Sequence, residues 1–258
     1  RHPLLVLADS DIVVPRDYLT RVLAPLIEPQ VGLVTCPYVG RPRGGLWSAL
    51  GALFISDWFM ANVRLTQLFG AQSFVSGATI ALRRDVLDRL GHLSTVANEL
   101  ADDFRLGEQV RRLGLRIVLS DLYVETLVDE PTPSAFARHT LRWLRTIQSL
   151  QPWGYAFCFV TFSVPLALVG AALAHFNHDS VLLLEITVAA RVMLHCFGAR
   201  IGRAPLRSAL RQLPLLPLHD LLLPALWCWS FSRRAVSWRQ QQFEIGRDGA
   251  LYRLPEIE

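Results

Sequence analysis

Two aspartates in the segment ADSD, Asp9 and Asp11, flank a single serine directly after an apolar stretch that predicts a buried β-strand. Carboxylates at the C-terminal end of a strand lie where open α/β sheets bind ligands. Two such side chains can hold Mg²⁺ or Mn²⁺, and that cation would neutralise a diphosphate. The alternative is an Asx turn that only ends the strand.

A second acidic pair, Asp102 and Asp103, opens the segment LADDFRLGEQVRRLG, which predicts a helix that ends at Gly114. An aspartate at a helix N-terminus caps free N–H groups and interacts favourably with the helix dipole. That role accounts for one aspartate better than for two, and Arg105 stands where a capping box has Glu or Gln. We therefore consider a second role, a general base that removes a hydroxyl proton.

Two further segments carry side chains suited to ligand binding. In HTLRW, Arg142 offers a planar guanidinium for phosphate and Trp143 a flat apolar face for a sugar or a lipid. His139 lies one helical turn before Trp143 on the same face. The alternative is an amphipathic helix whose arginines meet lipid headgroups. In SGAT, Gly77 follows an apolar strand and would allow a ligand to approach the backbone closely.

Alternating strands and helices in the first 150 residues predict an α/β sheet domain. The strands are predicted at 3–14, 31–39, 74–84, 115–121 and 123–128, and the helices at 17–28, 46–69, 85–90, 100–114 and 134–148. The helix at 46–69 is strongly apolar, with Asp57 and Arg64 as its charged residues. It is suited either to lying on a membrane surface or to packing on the sheet.

The second half of the chain has the composition of a membrane protein. Hydrophobic residues make up 52% of the sequence and charged residues 19%, and residues 153–231 carry few of those charges. We predict three membrane spans, at about 153–176, 180–198 and 213–231. Charged and polar residues inside these spans are costly unless paired, so we expect structural pairs, with an acceptor path as the alternative. They are Glu185, Arg191, His195 and Asp220.

The predicted organisation is a domain at 1–150, a membrane region at 151–232 and a cytoplasmic tail at 233–258. All 26 basic residues are arginine. Arginines in the link between the second and third spans place that link and the first domain in the cytoplasm; they are Arg200, Arg203, Arg207 and Arg211. The tail is also rich in arginine, and both flanks of 213–231 can be cytoplasmic only if this segment is re-entrant or lies in the membrane interface. The net charge of +4 is modest, and the arginines are scattered or lie beside apolar runs, which favours a membrane surface rather than nucleic acid as a partner. Four cysteines without a CxxC pair predict buried thiols: Cys36, Cys158, Cys196 and Cys228.

The order of these motifs carries a resemblance that no single motif carries. Taken in order, the motifs resemble those of the membrane-bound family 2 and 21 glycosyltransferases. That order is an acidic DSD, then SGATIALRR, LADDFRLGEQVRRLG, HTLRW and finally membrane spans. Ceramide glucosyltransferases and bacterial hopanoid-biosynthesis-associated glycosyltransferases are the most similar groups. The resemblance covers residues 1 to about 155, and VSWRQQQFEI resembles their C-terminal segment.

The resemblance implies a GT-A fold and an inverting transfer of glucose or N-acetylglucosamine from a nucleotide sugar, UDP-linked, to a hydroxyl group of a membrane lipid. Asp9 and Asp11 match the family's DxD motif, which binds metal and nucleotide. Asp103 matches its general base, and Asp102 stands where the family usually has Glu. Arg142 and Trp143 match the last motif, whereas His139 replaces its first residue. A multi-pass protein of the bacterial inner membrane is expected.

One departure from the family pattern concerns the start of the chain. GT-A domains begin with strands that hold the nucleotide, whereas this chain begins at the DxD strand, so we expect a domain that lacks its N-terminal half. Other functions compatible with the motifs are a processive polysaccharide synthase and a polyprenyl-phosphate glycosyltransferase. A truncated, non-catalytic membrane remnant is the alternative outside the enzymes.

Overall fold

A computed structural model of the protein describes residues 2–68, 75–96, 99, 101–202, 205–232, 235–238, 241–245 and 251–253. The chain forms two compact units, which we describe separately. The first contains residues 1–129 with 249–251, and the second contains 130–248 with 252–258. Arg203 and most of the predicted tail lie outside the described residues.

The first unit is a mixed α/β domain, as predicted. Its strands are β1 (Leu4–Ala8), β2 (Ile12–Val13), β3 (Val31–Thr35), β4 (Tyr38–Pro42), β5 (Thr79–Arg83), β6 (Arg116–Leu119) and β7 (Val124–Val128). Its α-helices are α1 (Tyr18–Leu23), α2 (Gly45–Leu53), α3 (Met60–Leu68), α4 (Arg84–Leu90) and α5 (Asp102–Arg112). A π-helical segment, Phe54–Phe59, joins α2 to α3, and 3-10 turns follow α1 and α4.

The larger sheet of this unit has the strand order β1-β5-β3-β6. β5 is antiparallel to both β1 and β3, whereas β3 and β6 are parallel. β1 pairs on one side among the described strands and is half-buried, so the prediction of a fully buried first strand is wrong. Its register sets Ala8 opposite Thr79, which brings the residues after β1 beside those before β5.

The smaller sheet has the order β2-β7-β4. The strand predicted at 31–39 is in fact two strands, because β3 belongs to the larger sheet and β4 to the smaller one. Cys36 and Pro37 lie between them, and proline cannot supply the N–H group that a continuous central strand needs. The segment that carries Asp9 and Asp11 likewise passes from one sheet to the other.

α5 packs on the larger sheet through an apolar stripe. Leu106 and Val110 join a core cluster with residues of β3, β5 and β6. A β-carbon on Gly32 would lie 2.7 Å from Cγ1 of Val110, so the helix approaches β3 at a position that only glycine allows. Asp103 precedes Leu106 by three residues and Val110 by seven, which places it on this same face.

The long apolar helix of the first unit packs on the sheet, which decides between the two predicted roles. The helical segment Gly45–Leu68 is long and apolar enough to cross a membrane. However, 61% of its most apolar 18-residue stretch is buried inside the protein. Gly40 of β4 makes this packing close, since a β-carbon there would lie 2.5 Å from Cα of Ala52.

The second unit is mainly helical. Its α-helices are α6 (Pro133–Leu150), α7 (Pro152–Phe157), α8 (Ser163–Leu173), α9 (His178–Ile201), α10 (Leu206–Gln212) and α11 (Leu216–Ser230). The 3-10 turns Cys158–Thr161 and Leu213–Leu215 precede α8 and α11. In the tail, β8 (Ala235–Trp238) and β9 (Gln241–Ile245) form an antiparallel pair, within a sheet of order β10-β9-β8 with β10 at Leu251–Arg253.

One of the three predicted spans is a single helix of sufficient length. α9 has 24 residues, and only 6% of its most apolar 18-residue stretch is buried inside the protein. The first predicted span bends by 61° between Pro152–Thr161 and Ser163–Leu173. Pro165 explains the break, because it cannot donate to the carbonyl of residue 161. α11 has 15 residues, about 22 Å at 1.5 Å per residue, and is short for a bilayer core.

Polar residues of the predicted spans form the structural pairing that we expected. Arg191 of α9 donates through Nε and Nη2 to the Asp220 carboxylate of α11, at 3.0 Å each. His219 Nδ1 lies 2.9 Å from the same carboxylate. His195 is buried with Nε2 3.1 Å from the carbonyl of Ala209, and Glu185 is exposed.

The cysteines are all free, and they differ in burial. Cys36 is buried as predicted, Cys158 and Cys196 are half-buried, and Cys228 is exposed. The prediction of a buried thiol is therefore wrong for Cys228, whose helix turns this side chain to the surface.

Candidate functional site

The acidic segment after β1 lies between the two sheets of the first unit. The backbone N–H of Asp9 donates to the carbonyl of Ala78 (3.3 Å), which ties it to the larger sheet. The carbonyl of Asp11 accepts from the N–H of Leu127 (2.8 Å), which ties it to the smaller sheet. Both aspartates are exposed residues. The two sheets thus hold the DSD turn at both ends.

Asp102 and Asp103 occupy the first turn of α5, while the N-cap position belongs to Ala101. Each carboxylate accepts a hydrogen bond from the next backbone N–H: Asp102 Oδ1 from Asp103 (2.9 Å) and Asp103 Oδ1 from Phe104 (2.7 Å). Their surroundings differ, because Asp102 is exposed and Asp103 is half-buried. The helix periodicity that turns Asp103 toward the core turns Asp102 away from it.

The second oxygen of Asp103 faces the backbone of Gly77. A β-carbon on Gly77 would lie 3.0 Å from Oδ2 of Asp103, and the backbone N–H of Gly77 is near enough to lower the pKa of this carboxyl group. Gly77 sits in the turn before β5, beside Ala78, whose carbonyl binds Asp9. One turn of the chain therefore touches both acidic segments.

The electrostatic environment of Asp103 favours its protonated form. The pKa of Asp103 is raised to about 7, chiefly by burial and in smaller part by the nearby charges of Asp102 and Asp9. The N–H groups of Phe104 and Gly77 act in the opposite direction, since they stabilise the carboxylate. A carboxyl group whose pKa lies near neutrality can both accept and release a proton under ordinary conditions.

The oxygen atoms of this site suit a hard cation. No group of three or more His, Cys, Asp or Glu side chains that could enclose a metal occurs among the residues that the structure describes. Asp9 and Asp11 are exposed carboxylates on one turn. Mg²⁺ commonly binds through one or two carboxylates and completes its shell with waters and phosphate oxygens, so the donor set fits such an ion when a diphosphate is bound.

His139, Arg142 and Trp143 lie in the second unit, on one face of α6. All three are half-buried, and the helix begins at an N-cap, Thr132, whose hydroxyl accepts from the N–H of Ala135. The rings of His139 and Trp143 meet edge to face, with centroids 5.7 Å apart. The predicted spacing thus places the three side chains together.

Glu130 is a member of this group that the sequence did not point to. His139 Nδ1 is paired with Oε1 of Glu130, a carboxylate with only 4% exposure. Such a partner fixes the orientation of the imidazole and favours a proton on Nδ1. Nine residues separate the two in the chain, a spacing without helical or strand periodicity, so no sequence signal marks the pair.

The structure therefore brings the predicted residues together in two groups. Asp9, Asp11, Gly77, Asp102 and Asp103 belong to the first unit, where the turns after β1 and before β5 meet the start of α5. The three residues of α6 belong to the second unit.

Comparison with known proteins gives a family match over most of the chain. Residues 1–251 match the family described as Glycosyl transferase family 21. A "Type 2 glycosyltransferase" of Gibberella zeae is 32% identical over 103 residues, 38% of this chain and 20% of the relative. A protein of the same name from Pyricularia oryzae is 32% identical over 90 residues, 33% of this chain and 19% of the relative. The matched region thus spans about a fifth of each curated relative.

Proposed function

Because the chain belongs to glycosyl transferase family 21 and is therefore a glycosyltransferase, we propose that it transfers a sugar from a UDP-linked donor to a hydroxyl group of a membrane lipid, with inversion at the anomeric carbon. The proposed sugar is glucose or N-acetylglucosamine, and the proposed acceptor is of the ceramide or hopanoid type. The mixed α/β unit would be part of a GT-A domain.

The observation that carries this proposal is the position of Asp103. Its carboxylate is half-buried, faces the backbone of Gly77 and lies near the exposed DSD turn, and its pKa is raised to about 7. A general base is most effective when its pKa is close to the working pH. A carboxylate that served only the helix N-terminus would not need this burial.

In the proposed step, a carboxylate oxygen of Asp103 removes the proton from the acceptor hydroxyl. The hydroxyl oxygen forms a bond to the anomeric carbon while the bond from that carbon to the diphosphate oxygen breaks. UDP leaves with the electron pair, and the proton remains on Asp103 until solvent takes it. Attack from the face opposite the leaving group inverts the anomeric configuration.

Asp9 and Asp11 are the proposed ligands of Mg²⁺ or Mn²⁺. When bound, such an ion supplies positive charge to the departing diphosphate. We expect Asp11→Ala to weaken metal-dependent binding of UDP-sugar, measured by titration calorimetry with and without added Mg²⁺. Donor binding that is equal in the variant and the wild type would contradict the assignment.

We propose that side chains on one face of α6 also help to bind the substrates. The guanidinium of Arg142 would hold phosphate oxygens, and the indole of Trp143 would cover an apolar face of the sugar or the lipid. The Nδ1 proton of His139 is engaged with Glu130, so Nε2 of the neutral ring would accept a hydrogen bond from a hydroxyl group of the sugar or the lipid. These roles rest on the side-chain chemistry and on the family resemblance.

A lipid acceptor agrees with the surface of the second unit. α9 presents an apolar surface with exposed residues along its length, including Leu183, Ile186 and Phe197. A helix of 24 residues with this composition is suited to a bilayer. We propose a protein of the bacterial inner membrane whose α/β unit faces the cytoplasm.

The direct test is transfer by the purified protein in lipid nanodiscs. Each nanodisc preparation contains one acceptor, namely ceramide, a hydroxylated hopanoid or diacylglycerol, and UDP-glucose or UDP-N-acetylglucosamine is added. We expect a glycolipid whose mass exceeds that of the acceptor by one sugar residue, detected by mass spectrometry. A matched preparation without UDP-sugar controls for lipids carried through purification.

Three outcomes would contradict the proposal in distinguishable ways. A polymeric product would indicate a polysaccharide synthase, and a sugar joined to an added polyprenyl phosphate would indicate the other rival enzyme. No transfer to any acceptor, together with no binding of UDP-sugar, would favour a non-catalytic protein.

A further inference from the structure

A buried hydroxyl group, that of Thr35 at the end of β3, holds the turn that precedes β5. Thr35 Oγ1 lies 2.8 Å from the carbonyl oxygens of both Ser76 and Thr79, which share its single proton, and it accepts from the N–H of Ser76 at 3.0 Å. All three residues are almost fully buried. The turn closes on itself as well, since the N–H of Thr79 donates to the carbonyl of Ser76 (3.3 Å).

The two residues inside this turn are the ones that meet the acidic groups. The backbone of Gly77 lies against Oδ2 of Asp103, and its N–H helps to stabilise that carboxylate. Ala78 offers its carbonyl to the N–H of Asp9. The hydroxyl of Thr35 therefore binds both ends of a four-residue turn whose middle touches Asp103 on one side and Asp9 on the other.

We propose that Thr35 is a positioning residue for sugar transfer, whose hydroxyl fixes the Gly77–Ala78 backbone and thereby the placement of Asp103 against the DSD turn. This inference rests on the proposed function, because it assigns Thr35 a task in that reaction. Thr35 itself has no exposed surface, so the role assigned to it acts through the turn.

The hydroxyl is needed because the backbone groups that it serves are buried. Without it, the turn must change position or lose hydrogen bonds away from water, which costs free energy. Valine has nearly the shape of threonine and no hydroxyl, so Thr35→Val isolates this contribution. Serine keeps the hydroxyl and loses one methyl group, so Thr35→Ser is the conservative variant that should restore the turn.

Tyr18 supplies a matched control in the same polar cluster. Its hydroxyl is buried and lies 3.0 Å from Oγ1 of Thr79, so it binds a side chain rather than the backbone of the turn. Tyr18→Phe removes one buried hydroxyl and leaves the bonds between Thr35 and the turn in place. A general loosening of the domain would affect Tyr18→Phe and Thr35→Val alike, whereas loss of positioning would affect Thr35→Val alone.

The kinetic test compares the three variants with the wild type in the nanodisc assay. We expect Thr35→Val to lower kcat by about 10- to 100-fold, a range typical when reacting groups are displaced by about 1 Å. The KM for UDP-sugar should change much less than kcat. Thr35→Ser should recover most of the lost activity, and Tyr18→Phe should stay near the wild type. Equal losses in Thr35→Val and Tyr18→Phe, or no loss in either, would overturn the proposal.

A second measurement does not depend on activity. Hydrogen–deuterium exchange followed by mass spectrometry reports the opening of the turn through peptides that cover residues 75–80. Thr35→Val should exchange faster there than the wild type, and Tyr18→Phe should not. If Thr35→Val and the wild type exchange at the same rate there, the proposal is overturned, even if the wild type shows no sugar transfer. An inactive wild type with the expected exchange would instead count against the proposed function.

Discussion

Oδ2 of Asp103 lies 3.0 Å from the position that a β-carbon on Gly77 would occupy. Nothing in the backbone of Gly77 requires glycine, because its φ is not positive. Close approach to a carboxylate is therefore the reason for glycine at this position. The same contact makes Asp103 responsive to the turn before β5.

Gly77→Ala should displace the Asp103 carboxylate by a few tenths of an ångström or more. We expect kcat for sugar transfer to fall by about 10- to 100-fold, because the proposed base moves relative to the acceptor. Gly154→Ala is the control, since its β-carbon would meet no atom closer than 3.9 Å. Wild-type kcat in Gly77→Ala would show that the contact does not matter for the reaction.

Asp103→Asn should abolish transfer while UDP-sugar binding persists, because an amide cannot take the proton of the acceptor hydroxyl. The loss expected for removal of a general base is about 10²- to 10⁴-fold. Asp85→Asn is a suitable control, since Asp85 also lies in the first turn of a helix, α4, and is exposed. Near-normal turnover in Asp103→Asn would contradict the assignment of the base.

The raised pKa of Asp103 predicts the pH dependence of transfer. The group acts as a base only when ionised, so kcat/KM should rise with pH and level off above about 7. The charged neighbours that contribute are Asp102 and Asp9, and removal of the Asp102 charge by Asp102→Asn should shift the rise toward lower pH. A profile that is flat from pH 5.5 to 8.5 in the wild type would exclude Asp103 as the group that controls the reaction.

Stability should depend on pH through the same group, with a definite sign. The pKa is raised from 3.8 in the unfolded chain to about 7 in the folded one, so the folded state binds the proton more tightly. This contribution to stability is complete below about pH 4 and is lost as pH rises to about 7. Asp103→Asn stays neutral, so its melting temperature relative to the wild type should increase between pH 5 and pH 8. A constant difference would indicate an unperturbed carboxyl.

The different roles of Asp102 and Asp103 could be read from the sequence in part. Asp103, Leu106 and Val110 follow helical spacing, which places one aspartate on the apolar face and the other off it. The meeting of this helix with Gly77 and Asp9 could not be read so directly. It depends on the antiparallel register of β1 and β5, which makes neighbours of Ala8 and Thr79, 71 positions apart.

Other features of the structure could not be predicted, because tertiary packing overrides or adds to the local sequence pattern. Residues 31–39 read as one strand because their side chains are apolar, yet Pro37 divides them between two sheets. No periodic pattern in the sequence predicts the pairing of His139 with Glu130. The same is true of the hydrogen bonds between Thr35 and the distant turn before β5. These are tertiary contacts made by single polar side chains, which composition and spacing do not encode.

Gly40→Ala tests how the apolar segment Gly45–Leu68 is held. A β-carbon at Gly40 would lie 2.5 Å from Cα of Ala52, a backbone atom that cannot move alone. We expect a loss of stability of about 1 to 3 kcal/mol, as for other overpacked sites. Gly170→Ala, with no atom within 4 Å of the added carbon, is the control. Equal denaturation midpoints for the two variants would mean that α2 does not pack on β4.

The pair formed by Arg191 and Asp220 predicts an asymmetry between single and double substitutions in the second unit. Both side chains are nearly buried, at 12% and 11% exposure, and the two are joined by more than one hydrogen bond. Asp220→Asn leaves the Arg191 charge in an apolar unit without its counter-charge. Breaking a buried pair in this way costs about 3 to 5 kcal/mol, although the intact pair contributes much less.

We therefore expect Asp220→Asn to unfold at a clearly lower temperature in detergent than the wild type, measured by size-exclusion chromatography after heating. The double variant Arg191→Leu with Asp220→Leu should regain much of the loss, because neither charge remains to be buried. An acceptor path that required these charges would behave differently. The double variant would then be stable and inactive, whereas a purely structural pair predicts that recovery of folding brings recovery of sugar transfer.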